Sequence, residues 1–421
     1  MNSRERILSA INHKQPDRIP VDIGATPSSG LSVVAYNNLI SYLGMDLPNH
    51  AYDVIQQVTQ PEMELLDRLG VDVLDLGRHF NTAPGYWHEL ELIKGNKALY
   101  PKWFNPVRKP DSSWLAYGKT GEVIGWMPNG ATFFDQTIFP YMDGYPADYK
   151  NLAREQTRVI WGGLGFTPWD WSGEDNFWTM LREKALDLRA KTDKAILLGV
   201  GCNLFEWGCF LRRMDNFLMD LICEPENVHK LLDALMELHL NNLKKTCEAV
   251  GDIVDILKFG DDLGMTTAAF MSAETYREFF KPRHKILCDF VKNNSKAHTM
   301  LHSCGSIYTL MPGLIEAGFE IINPVQINAA NMEPERLKRE FGKDVTFWGG
   351  GCDTKSVLNR GSVKEVKAHV LHNLGVFSKG GGFVFTTVHN IMPDVPPQNI
   401  MAMFEAIDDY NSGSRILPRL A

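Results

Sequence analysis

AHTMLHSCGSIYTLMPGLIEAGFEIINPVQINAANMEPERLKREFGKDVTFWG, residues 297–349, reads as strand, helix, strand, helix, strand. The apolar runs AHTML (297–301), FEIIN (319–323) and VTFWG (345–349) are short, as strands buried on both faces are. Between them, SIYTLMPGLIEAG and EPERLKREFG space their apolar residues at helical intervals, and Gly318 and Gly342 sit where a helix should stop. The same rhythm extends outward. Upstream lie the strand candidates AILLGV (195–200) and IVDILKF (253–259), and downstream GFVFTT (382–387). Helical patterns separate them: NFLMDLI, Glu226 to Ala249, SAETYREFFKPRHKILCDFVKN, SVKEVKAHVLHNLGVF and PQNIMAMFEAIDDY. Ser272 is placed to cap its helix, and Pro397 suits a first helical turn. Alternating strands and helices imply a parallel sheet. With two earlier strands, RIPVD (18–22) and Val71 to Leu76, the count predicts a closed (β/α)8 TIM barrel spanning residues 1–421 as one domain. No strand is followed by GxGxxG, which counts against a dinucleotide-binding sheet.

The chain elaborates the barrel at two places. SRERILSAINHK predicts a short amphipathic helix in an N-terminal extension. From about Arg78 to Tyr149 the sequence is rich in Trp, Tyr, Pro and Gly and contains a hairpin candidate, WLAYGKTGEVIGWMPNG. This stretch, about residues 78–150, reads as a lid-like insertion.

Composition bounds the function. Of 421 residues, 44% are hydrophobic and 22% charged, so the chain can bury a core. The net charge of −8, without any Lys/Arg run, argues against nucleic acid as partner. The densest apolar stretch, Ala195 to Cys202, is far too short to span a membrane, and the first residues carry no apolar leader. The seven scattered cysteines suit a reduced compartment, and the expected location is cytoplasmic.

In a barrel, chemistry sits at the C-terminal ends of the strands. Five clusters fall there. His302 and Cys304, after AHTML, carry imidazole and thiolate, the preferred zinc donors; a packed histidine beside a buried thiol is the alternative. Gly349-Gly350-Gly351-Cys352-Asp353 offers Cys352 as a third donor, a turn in which Asp353 caps the next helix, or a phosphate cradle. Gly260-Asp261-Asp262-Leu263-Gly264 supplies adjacent carboxylates, suited to metal binding, acid–base work, substrate binding or turn formation. His389 and Asn390, after the last strand, offer a metal donor, an acid–base group, a substrate contact or support for a ligand. Glu206, after AILLGV, is a metal ligand or pocket carboxylate, or a solvent-facing helix residue. From these clusters the catalytic candidates are Asp262 and His389. The substrate-binding candidates are Asp261, Glu206 and Asn390, and the metal candidates are His302, Cys304 and Cys352.

Five segments together resemble the uroporphyrinogen decarboxylase superfamily: RERILSAINHKQPDRIPVD, KFGDDLGMTTAAFMSAETYREFFKP, LHSCGSIYTLMPGLIEAGFEIINPVQ, FWGGGCDTKSVL and GGFVFTTVHNIMPDVPPQNIMAMFEAI. The resemblance implies a (β/α)8 barrel. The decarboxylases of that superfamily carry an N-terminal arginine element for the substrate's carboxylates. Here the first strand is followed by IGATPSSGLSVVAY, and no arginine occurs between Arg18 and Arg68. The resemblance therefore implies the other branch, zinc-dependent methyltransferases that exchange methyl groups with a corrinoid protein. The implied cofactors are Zn2+ and a corrinoid carried by a partner protein. The implied substrate is a small methylated molecule, of which methoxylated aromatics are examples, and the chain has room to form oligomers. Some members use coenzyme M as methyl acceptor, and among these the zinc motif is His-x-Cys plus a distant Cys after the last strand. His302 and Cys304 match its first part, whereas the third ligand is Cys352 by residue type or His389 by position. Trp87, Trp103, Trp114, Trp126, Phe133 and Phe134 in the insertion would suit a flat apolar substrate or a plain lid core. A metal-independent decarboxylase using Asp262 and a non-catalytic tetrapyrrole-binding protein are the competing expectations.

Overall fold

A computed structural model describes residues 1–79, 84–164 and 176–413. Seven parallel strands form one curled sheet: Val73–Asp75, Ala195–Gly201, Ile256–Gly260, His298–His302, Ile321–Asn323, Thr346–Trp348 and Phe383–Val384, each beside its sequence neighbour. The predicted first strand supplies the eighth position. Val21 bridges Phe385 in parallel, and its carbonyl accepts from the Asp72 N–H at 2.8 Å. The ring thus closes between first and last positions as a (β/α)8 barrel. Buried Asp72 pins the closure, accepting from Arg6 at 2.6 Å, Arg18 at 2.8 Å and the Val21 N–H at 3.0 Å.

Alternation along the strands decides what faces where. Ala195, Leu197, Ile256, Met300, Ile321, Trp348 and Val384 pack into the barrel interior with Ile7, Ala10 and Ile11 of the helix Ser3–Ile11. The N-terminal extension is therefore a plug for the bottom of the barrel. Its capping box, with Asn2 accepting from the Glu5 N–H and the Glu5 side chain accepting from the Asn2 N–H, fixes where the plug begins. The intervening residues Ile196, Leu198, Leu257, Phe259, Leu301, Ile322, Phe347 and Phe383 face the surrounding helices.

The helices fall close to their sequence limits, including Pro225–Val250, Val363–Phe377 and Pro397–Asn411. Ser272 caps as expected, and Gly318 takes the left-handed φ of +104° at the end of its helix. Gly342 ends its helix in ordinary right-handed geometry at φ −68°, so no left-handed cap forms there. The helix predicted from Ser272 is interrupted by a π-helical segment, Tyr276–Phe280, before continuing as Lys281–Asn294.

The insertion is larger than its sequence limits. Trp87–Ile93 and Asn96–Pro101 join His50–Asp53, Val58–Gln60 and Leu31–Ser32 in one five-stranded sheet. The predicted hairpin, Trp114–Tyr117 with Val123–Met127, lies in a four-stranded sheet. Val33, Ala51 and Val54 share a separate core with Tyr100, Phe104, Ile124 and Phe134. The sequence pattern assigns no strand between RIPVD and Val71, but residues 31–60 supply three of the five strands of that sheet. Residues 80–83 of the insertion lie outside the described residues.

Candidate metal centre and cavity

The interior layer above the apolar plug is polar. On the strand Ile256–Gly260, Ile256 points inward, so Lys258 and Gly260 do too, and Asp262 follows in the same parity. Met300 and Ile321 likewise put His302 and Asn323 on the inner side. Lys258, Asp262, His302, Glu206 and His389 line a cavity of about 510 Å³. Its outer wall includes Tyr52, Trp103, Trp161 and Phe210, with the last two rings stacked at 5.7 Å and 15°.

Among the described residues, His302, Cys304 and His389 form a group able to hold a metal ion, each offering one donor atom within 4.8 Å of the others. His302 Nε2 lies 3.5 Å from Cys304 Sγ and 3.6 Å from Asp262 Oδ1. The Asp262 carboxylate also accepts the Cys304 N–H at 2.8 Å, tying two βα loops together. These loops touch backbone to backbone. A Cβ on Gly305, whose φ is +82°, would stand 2.2 Å from the Gly264 carbonyl. Glycine at both positions is what lets Asp262 and Cys304 approach.

The electrostatics fit a cation here. Burial, with Asp262 and Glu206 nearby, pushes the Cys304 thiol well above its ordinary range. Burial and the same acidic neighbourhood, Asp262 foremost, push the Glu206 carboxyl well up. Burial and Lys258 bring His302 down to about 4, leaving a neutral imidazole with a lone pair to donate. Burial also lowers Lys258, which the surrounding carboxylates partly offset. A divalent ion held by the three donors would relieve the crowding of negative groups and keep Cys304 as thiolate.

Three sequence expectations change. Cys352 is fully buried in the helix-side core and its Sγ lies 3.9 Å from the Asp353 carbonyl, so it stands outside the donor group and His389 takes its place. Asp261 is fully buried and faces away from the cavity. It accepts from the N–H groups of Leu204, Phe205 and Glu206 at 3.2, 3.1 and 2.9 Å, capping the helix Phe205–Arg212, and it contacts His284 Nε2 at 3.2 Å. The alternation that turns Asp262 inward turns Asp261 outward. Asn390 is buried against His389, its Oδ1 2.7 Å from the ring Nδ1, and does not line the cavity. Asp353 accepts from the Lys355 N–H at 2.8 Å and from Asn328 at 2.7 Å, so the triglycine stretch ends in a structural turn.

Glu206 lines the cavity, held by Asn203 Nδ2 at 2.5 Å. Of the six insertion aromatics, only Trp103 reaches the cavity; Phe134 belongs to the subdomain core and Trp126 is exposed. Lys258 and Asn323 were missed by sequence reasoning. Their signal was a polar residue at an inward position of an otherwise apolar strand.

A family model described as uroporphyrinogen decarboxylase (URO-D) matches residues 191–410, which includes all three donors and Asp262. The chain belongs to the URO-D family. Two of its relatives are uroporphyrinogen decarboxylases of Chlorobaculum parvum and Chlorobaculum tepidum, each 24% identical over 189 residues. These matches cover 45% of this chain and 51% of the relatives, so the chain spans about half the length of the curated relatives it matches. Among solved structures, a methyltransferase from Methanosarcina mazei superposes with a TM-score of 0.58 at 17% identity, covering 97% of this chain and 99% of the other. That likeness shows a shared fold that takes in the N-terminal half as well.

Proposed function

We propose that this protein is a zinc-dependent methyltransferase that moves a methyl group between a small methylated substrate and a corrinoid carried by a partner protein. The observation that carries the reading is the His302–Cys304–His389 donor group facing a closed-bottomed cavity. Two nitrogens, one sulfur and room for a further ligand make the donor pattern of a catalytic rather than a structural zinc. When bound, the zinc supplies Lewis acidity, stabilising a thiolate or polarising an oxygen that carries the methyl group.

The protein's own groups then have separable tasks. His302, Cys304 and His389 hold the ion. Asp262 fixes the Cys304 backbone and balances charge beside it. Glu206, whose carboxyl burial pushes up, lines the cavity, where it could exchange a proton with a substrate heteroatom or offer an oxygen as a further ligand. Tyr52, Trp103, Trp161 and Phe210 form an aromatic wall that would hold an apolar, flat substrate and exclude water.

The cavity also bears on the decarboxylase alternative. A polycarboxylate needs a basic pocket. Among the described lining residues, Lys258 is the sole lysine and there is no arginine, against the carboxylates of Asp53, Asp75, Glu206 and Asp262. This balance supports methyl transfer. The test is to mix purified protein with zinc, cob(I)alamin and a methoxylated aromatic and to follow methylcobalamin by absorbance. Formation that disappears in His302→Ala and Cys304→Ser supports the proposal; turnover that survives both substitutions refutes it.

A further inference from the structure

Each of the two histidines at the donor group leans on an asparagine. His302 Nδ1 lies 2.8 Å from Asn323 Oδ1, and His389 Nδ1 lies 2.7 Å from Asn390 Oδ1. Asn323 is wholly buried and Asn390 nearly so, and neither lines the cavity. The orientation of the Asn323 amide is settled by its surroundings. Its Nδ2 donates to the Trp348 carbonyl at 2.9 Å, so Oδ1 must be the atom that faces His302. The same Oδ1 accepts from the Ser28 hydroxyl at 3.1 Å. An amide oxygen only accepts, so His302 Nδ1 must carry the proton and Nε2 must carry the lone pair. That Nε2 is the atom pointing at Cys304 Sγ and Asp262. At His389 the Thr387 hydroxyl additionally donates to the His389 carbonyl at 2.6 Å, fixing the backbone from which the ring projects.

We propose that Asn323 and Asn390 are a matched pair of positioning residues that lock both histidines in the Nδ1–H tautomer and so commit Nε2 of each to the metal. The inference rests on the metal reading above and adds what sets it up. A free imidazole divides itself between tautomers and rotates about two bonds. A ring already locked as an Nε2 donor gives up that freedom during folding rather than during metal capture. Ser28 extends the lock to the cavity, because it lines the wall and holds Asn323 from the other side. It lies in the TPSS turn, where Thr26 and Ser29 form a reciprocal capping box. The TPSS turn thereby becomes part of the support of the metal site.

Two measurements test the pair. The first uses metal-free protein: long-range proton–nitrogen spectra of the histidine rings in wild type, Asn323→Leu and Asn390→Leu, with His302→Ala and His389→Ala for assignment. Both rings should be Nδ1–H in wild type, and each should become a tautomer mixture in its own leucine variant alone. The second is zinc affinity by chelator competition, with thermal melting of the metal-free forms to confirm folding. Each leucine variant should bind zinc about 10- to 100-fold more weakly. Asn323→Asp and Asn390→Asp keep an acceptor at Nδ1 and should restore at least wild-type affinity. Leucine variants that bind zinc like wild type, while His302→Ala does not, overturn the inference and leave the metal reading standing. Aspartate variants as weak as leucine also overturn it. Wild-type protein that takes up no zinc overturns both.

Discussion

Asp261 and Asp262 are neighbours of identical chemistry, and the barrel assigns them opposite consequences on mutation. Asp261→Ala removes the acceptor for three backbone N–H groups and the partner of His284 within a fully buried site. Loss of a helix cap costs about 0.5–2 kcal/mol. Each further buried donor left unpaired adds about 1–3 kcal/mol, less whatever water can reach. Summed over the cap, the remaining N–H and His284, the total is about 3–5 kcal/mol. Scaled per residue, the unfolding entropy of a chain this long is roughly 0.9 kcal/mol per kelvin, so Tm should fall by about 3–6 °C. Asp262→Ala removes one N–H acceptor at a side chain that is 37% exposed, and should cost at most about 1 kcal/mol, or about 1 °C. Asp261→Asn, which keeps one acceptor oxygen, should fall between. The assay is differential scanning fluorimetry of the metal-free proteins beside zinc affinity. Asp262→Ala should weaken zinc binding at nearly unchanged Tm, and Asp261→Ala should do the reverse in emphasis. An Asp261→Ala protein melting with wild type, or an Asp262→Ala protein melting lower than it, would refute the alternation argument.

Metal analysis should find about one zinc per chain in wild type and in Cys352→Ser, and much less in His389→Ala; zinc lost with Cys352 instead would reverse the ligand assignment. Gly305→Ala should destabilise by about 2–4 kcal/mol and weaken zinc binding, since its Cβ would meet Gly264 at 2.2 Å; a variant with unchanged stability and affinity would mean the two loops tolerate separation. Burial holds His239 down at about 4, below its unfolded value, so its stabilising effect is complete above pH 6.5 and is lost as pH falls from there toward 4. This amounts to about 2 kcal/mol between pH 7 and 5, and His239→Gln, which can still donate to the Asn203 carbonyl, should flatten the acid limb of the stability curve. An unchanged pH slope in that variant would place the proton uptake elsewhere.

The barrel was legible because its strands are apolar on both faces and its helices on one, and both patterns are local. His302 and Cys304 were legible as a zinc-type pair at a strand end. Lys258 and Asn323 were within reach of the same reasoning. Counting alternate residues from Ile256 and Ile321 would have turned both inward, and would have separated Asp262 from Asp261. The inserted subdomain was half missed, because its mixed sheet joins residues 31–60 to 87–101 by a parallel pairing of His50–Asp53 with Asn96–Pro101 that no single stretch encodes.

What the sequence determined by itself was therefore whatever depends on periodicity along a strand or helix: the αβ succession, the strand ends, the capping serine, the donor pair. What only the tertiary structure decided was the third donor. Cys352 is the better zinc ligand by residue type, and it emerges from a barrel strand as His389 does. Cys352 and His389 lie well past the ends of Thr346–Trp348 and Phe383–Val384, where the two-residue alternation that still reaches Asp262 no longer holds and the turn that follows aims the side chain. The triglycine stretch carries Cys352 into the helix-side core, while the turn at Thr387 and Asn390 brings His389 to within 4.8 Å of the other two donors.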